Sequence, residues 1–175
     1  MPFTETNAEQ LINHILVRHH FYVKQAMPLI YMHLEKVANK HGERFPYMKE
    51  VFRLFEIIQK EMNLHMHKEE LVLFPRIKEV EQKLWINPSP GVTANYIDGP
   101  IFEMETEHEH AGDILYKIRE LTNNYSVPEG ACTTFKVALA ELKEFEDDLH
   151  EHVHLENNIL FPKARHFVYM VNNTL

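Results

Sequence analysis

Two segments half a chain apart carry ionisable side chains in the same order. HMHKEELVLFP occupies residues 65–75 and HVHLENNILFP residues 152–162, so both read H-x-H-x-E and then L-F-P at equal offsets, 87 residues apart. On a helix the first His and the Glu of each segment, His65 with Glu69 and His152 with Glu156, lie one turn apart on one face, ~6 Å along the axis. Imidazole and carboxylate are metal ligands, and a pair at this spacing can also satisfy itself by hydrogen bonding in a polar seam. One such pair leaves both readings open. Two, at a repeat period, favour the metal.

The elements that must position these residues are four helical patterns. The first starts at Asn7, an N-cap residue type, and keeps an apolar stripe through Ile12, Leu16, Val23, Met27, Ile30, Leu34 and Val37. It stops at His41-Gly42, where Gly suits a left-handed C′ position, and Pro28 kinks it without ending it. The second runs from Pro46 through Val51, Phe55, Ile58 and Met62 to Val72, with Pro75 near its end. A crossover rich in Pro, Gly and Asn follows, spanning Arg76 to Gly99. The third takes Ile101, Met104, Ala111, Leu115 and Ile118 and ends near Asn123-Asn124. The fourth takes Ala138, Leu142, Phe145, Leu149 and Ile159. Short, long and short connections between amphipathic helices predict an all-α, up-down-up-down four-helix bundle, with residues 1–175 as a single domain.

On these stripes the 4-3-4-3 spacing from Val51 lands on His65 and Glu69, and in the fourth helix on His152 and Glu156. His108 stands on the third stripe between Met104 and Ala111. In the first helix either His19 or His20 can fill the gap between Leu16 and Val23. His20 to His108 is 88 residues, close to the 87 of the other pair, which makes His20 the better repeat partner. Rising from His20 to the first turn takes about as many residues as descending to His65, so at ~1.5 Å per residue the two share one level.

Burying two carboxylates and four imidazoles without compensation costs several kcal/mol per charge. A mixed His/Glu set without thiolate points to di-iron or di-manganese chemistry, with Glu69 and Glu156 bridging two ions and about one coordination position open on each for O2 or NO. Glu105 with His108, and Glu151 with His154, also fit the E-x-x-H spacing of carboxylate-rich di-iron bundles. Glu151 and His154 fall off the stripe, however, which favours histidine-rich coordination. His67, His110 and His154 lie about 200° round the helix from the proposed ligands and are expected in solvent. His14, His33, His150 and His166 are expected at the surface, His41 at a helix cap, and Cys132 as an inert buried thiol.

Composition narrows the function class. A formal charge of -8 and a pI near 5.9 disfavour nucleic acid and anionic membrane as partners. Neither a leader pattern nor a long apolar span is read in the sequence, so a cytoplasmic protein is expected. The single cysteine rules out an intrachain disulfide and a cysteine-based zinc site.

LINHILVRHH, HMHKEELVLFP, GPIFEMETEHEHAGD, LTNNYSVPEGACTTF and EHVHLENNILFPKA together resemble the hemerythrin-like HHE cation-binding domain, and more finely the Repair of Iron Centres family. The resemblance implies iron ligands at His20, His65, His108 and His152, with Glu69 and Glu156 bridging two iron ions that are also oxo- or hydroxo-bridged. It selects His20 over His19. It further implies a bacterial cytoplasmic, non-haem di-iron redox protein that repairs iron-sulfur proteins damaged by nitric oxide or peroxide, by donating iron or by reacting with and reducing NO. The alternative from another class is a hemerythrin-like carrier or sensor of O2 or NO. Such carriers add a fifth histidine, and no fifth stands on a stripe at the right height. Many family members carry a small cysteine-containing domain ahead of the bundle; this sequence opens almost directly on the first helix, and its crossover is longer than usual.

Overall fold

The computed structural model describes residues 7–86, 92–93 and 95–173. Part of the crossover, residues 87–91 and 94, lies outside the described residues, as do the first six residues and the last two. Four long helices form the molecule, and among the described residues there is no strand. Helix α1 spans 8–41 as Ala8–His14, a π-helical turn Ile15–His20, and Phe21–His41. Helix α2 spans 47–86 as Tyr47–Lys68, a π-helical turn Glu69–Leu73, and Phe74–Ile86. Helix α3 is Asn95–Leu121. Helix α4 spans 133–173 as Thr133–Leu155, a π-helical turn Glu156–Leu160, and Phe161–Asn173. Contacts run from α1 to α2 and α4, from α2 to α3 and from α3 to α4, and the segments of α2 and α4 beyond their prolines pack on each other as well. No helix among the described residues is long and apolar enough to cross a membrane.

Helix ends follow local chemistry with two exceptions. Asn7 caps α1 as expected, its side-chain oxygen accepting the Gln10 N–H at 2.7 Å, and Glu81 of α2 adds a second cap by accepting from the backbone N–H groups of Ala8 and Glu9. Gly42 is not left-handed: its φ is -64°. Glycine is required there by space, since a Cβ would meet the Ala38 carbonyl oxygen at 2.2 Å and Lys49 Cε at 2.5 Å. Among the described residues the left-handed non-glycine positions come after α3, at Asn123, Asn124 and Tyr125. Tyr125, a residue that rarely takes this conformation, is held there by burial, by its hydroxyl donating to Glu146 Oε2 at 2.8 Å, and by its N–H donating to Thr122 Oγ1.

Pro75 and Pro162 do not sit near helix ends. Each helix continues beyond its proline, to Ile86 and Asn173, and α3 begins at Asn95, so the crossover is much shorter than the sequence suggested. The extra length builds a second core. One apolar cluster gathers Val23, Phe55, Leu115, Phe145 and their neighbours; the other gathers Ile15, Phe74, Ile101, Phe161 and theirs. Between the two lies a buried polar layer, in the middle of the bundle.

Candidate metal centre

Three of the four helices reach that layer through a π-helical turn. In each, the N–H closing the turn bonds five residues back: Phe21 to the Leu16 carbonyl, Phe74 to that of Glu69, and Phe161 to that of Glu156. Such turns insert one residue into the helical register and recur at functional sites. The insertion is visible in the stripes. At the ends of two of these turns, Leu73 and Leu160 face the core, whereas Val72 is 38% exposed and Ile159 only half-buried, contrary to the α-helical period. Each proline stands two residues after the last residue of its turn. Lacking N–H groups, they leave the Leu71 and Asn158 carbonyls without their usual helical donors, where the register has already slipped.

All six residues singled out from the sequence converge. His20, His65, His108 and His152 are buried, and Glu69 and Glu156 are fully so. Each carboxylate lies between two imidazoles on different helices. Glu69 Oε1 is 3.3 Å from His65 Nε2 and its Oε2 is 3.3 Å from His20 Nε2. Glu156 Oε1 is 3.1 Å from His152 Nε2 and its Oε2 is 3.1 Å from His108 Nε2. The donor atoms fall into two groups, each within 4.8 Å: His20, Glu69, His152 and Glu156, and His65, Glu69, His108 and Glu156. The two groups share both carboxylates.

The donor set fits cation binding better than it satisfies itself. Both oxygens of Glu69, one of Glu156, and His20 Nε2 are buried without a hydrogen-bond partner. Such orphans are costly, and a cation would satisfy them. Charge supports the same conclusion. Burial pushes the Glu69 carboxyl up, as does the Glu156 charge, yet His65 and His20 hold it below its ordinary value. Burial also opposes ionisation of Glu156, which His152 and His108 hold well down. At His65 burial favours the neutral ring, but Glu69 and Glu107 outweigh it and raise the imidazole to about 10. Two carboxylates ionised in an apolar bundle attract positive charge, supplied by protons or by metal.

Outer partners orient most of the rings, and sequence reasoning missed them. His20 Nδ1–H donates to Glu70 Oε1, His65 Nδ1–H to Glu107 Oε2, and His108 Nδ1–H to Asn157 Oδ1, each at 2.8 Å. Lys24 pairs with Glu70 at 2.6 Å, and Lys68 with Glu107 and Glu103. Every one of these anchors is a chain neighbour of a proposed ligand on a facing helix, a signal available once helices are paired. Glu107 also borders an open cleft of about 330 Å³ shared with Glu61, His67 and His110.

The remaining expectations divide. His67, His110 and His154 are exposed, as are His150 and His166, whereas His14 and His33 are half-buried, His33 donating to Glu141. The E-x-x-H alternative does not assemble: Glu105 is paired with Arg165, and Glu151 and His154 face solvent. His41 does not cap a helix but meets the half-buried Cys132, its Nε2 lying 3.1 Å from Sγ. His19, passed over in favour of His20 as a ligand, is fully buried and hydrogen-bonded to Asp148 at 3.1 Å. The π-helical turn brings these consecutive histidines inward together.

The description "Hemerythrin HHE cation binding domain" belongs to a family model that matches residues 11–164. Iron-sulfur cluster repair protein YtfE of Escherichia coli O81 (strain ED1a) is 37% identical over 155 residues, which is 89% of this chain and 65% of that protein. The protein of the same name from Escherichia fergusonii shows the same identity and coverage. The chain thus spans about two thirds of the length of these relatives, 65%.

Proposed function

The chain belongs to the hemerythrin HHE cation-binding domain family, and we propose that its centre holds two bridged iron ions that serve the repair of iron-sulfur clusters damaged by nitrosative or oxidative stress. One observation carries the reading: two four-donor groups share Glu69 and Glu156. His20 and His152 would hold one iron and His65 and His108 the other, residues 1–175 acting as one domain. When bound, iron supplies both a redox-active centre open to O2 or NO and a store of the ion itself.

The side chains explain why such a store can be released. Two carboxylates dominate the charge of each position, so attraction falls as the charge of the ion falls, and ferrous iron is held less tightly than ferric. Only two imidazoles per position offset that loss. Iron-sulfur proteins that have lost iron are the proposed partners, and the bacterial cytoplasm the proposed setting. His19 lies outside both donor groups, so the set keeps four histidines, which weighs against an O2 carrier.

The reading is tested by mixing reduced, iron-loaded protein with an NO-damaged iron-sulfur dehydratase, with no iron added. Recovered activity should require Glu156: the Glu156→Ala variant should restore little. Equal recovery with wild type and variant would show that the centre is not the source.

A further inference from the structure

The four imidazoles of the cluster are not held alike. His20, His65 and His108 each donate through Nδ1 to a carboxylate or amide oxygen at 2.8 Å. His152 Nδ1 is buried and has no hydrogen-bond partner. Its ring is placed instead by packing, face to face with His19 at a centroid distance of 5.5 Å and an interplanar angle of 9°, and edge-on to His20 at 5.0 Å. Asp148, one turn before His152 on α4, holds His19 through Oδ1 at 3.1 Å and keeps a buried, unpartnered Oδ2, and neither oxygen is hydrogen-bonded to His152 Nδ1.

A hydrogen bond at Nδ1 does two things for a ligating imidazole: it fixes the rotation of the ring, and it raises the basicity of Nε2. Stacking on His19 supplies only the first. The position between His65 and His108 therefore has two supported rings, and the position between His20 and His152 has one. We propose that the two cation positions are unequal, and that the one between His20 and His152 is the weaker and empties first. The inference rests on the two-iron reading and adds to it which ion is surrendered. Outer partners of this kind are worth ~10–100-fold in metal affinity, so the two release rates should differ by at least ~10-fold. The retained ion would keep His65, His108, Glu69 and Glu156 assembled, leaving a half-loaded protein ready to be refilled. His19 acts here as a positioning residue, through His152.

The test uses iron-loaded, reduced wild-type protein and ferrozine as the chelator. Release should be biphasic, one iron per phase. Crystals of protein stopped after the first phase should show anomalous scattering between His65 and His108 and little between His20 and His152. Asn157→Ala removes the acceptor of His108 from a half-buried position; it should accelerate the slow phase ~10-fold and leave the fast phase alone. Release of both irons at one rate, residual iron between His20 and His152, or an Asn157→Ala effect on the fast phase alone would overturn the inequality while leaving the two-iron reading intact. Protein that takes up no iron at all would overturn both.

Discussion

Single side chains carry the chemistry, and which of them do so depends on direction more than on residue type. His65 and His67 are two residues apart, as are His152 and His154, yet one of each pair is buried beside a carboxylate and the other is exposed. His65→Ala and His152→Ala should each lose iron from the centre, whereas His67→Ala and His154→Ala should retain the wild-type complement, as measured by metal analysis of purified protein. Equal loss from both pairs would contradict the assigned facing. Much of this set was legible in the sequence, because an H-x-x-x-E pair on an apolar stripe has few other ways to be satisfied. His19 was not legible: consecutive residues stand ~100° apart on a helix, and the stripe could not tell whether one or both of His19 and His20 turn inward. The anchors Glu70, Glu107 and Asn157 were hidden for another reason. Each acts on a ring from a different helix, so its role depends on how helices pair, which no local pattern records.

Helices supply the register, and here the sequence misled in a consistent way. The four elements and the N-cap at Asn7 followed from periodicity and capping chemistry. Pro75, however, read as near an end when it is interior, and Val72 and Ile159 read as core when Leu73 and Leu160 are. The slipped stripe has one cause, namely the residue inserted at Glu69–Leu73 and again at Glu156–Leu160. A proline next to the insertion discourages a return to α-helical bonding, because its missing N–H cannot serve the carbonyl four residues back. Pro75→Ala and Pro162→Ala together restore those donors and let the α register compete. The double variant should hold iron at least ~10-fold less tightly in chelator competition, on the scale of other outer-partner changes, while its Tm stays level or rises. Undiminished iron affinity would show that the prolines only bend the helices.

At the scale of the whole molecule, two apolar cores are joined through a charged layer instead of merging into one. A bundle of this length could have been apolar throughout, and the layer makes sense as a cation site to which all four helices contribute a side chain. His20 comes from α1, His65 and Glu69 from α2, His108 from α3, and His152 and Glu156 from α4. The sequence placed these six residues on core-facing stripes, with His20 and His65 at one level, but not a second core beyond them, because Pro75 concealed the length of α2. The central claim is that Glu69 and Glu156 are shared between two irons, and iron content combined with the Mössbauer spectrum of oxidised wild-type protein tests it most directly. Two ferric ions per chain with a spin-coupled, diamagnetic ground state are expected, since ions bridged by common ligands couple magnetically. One iron per chain, or two that remain paramagnetic and uncoupled, would contradict it.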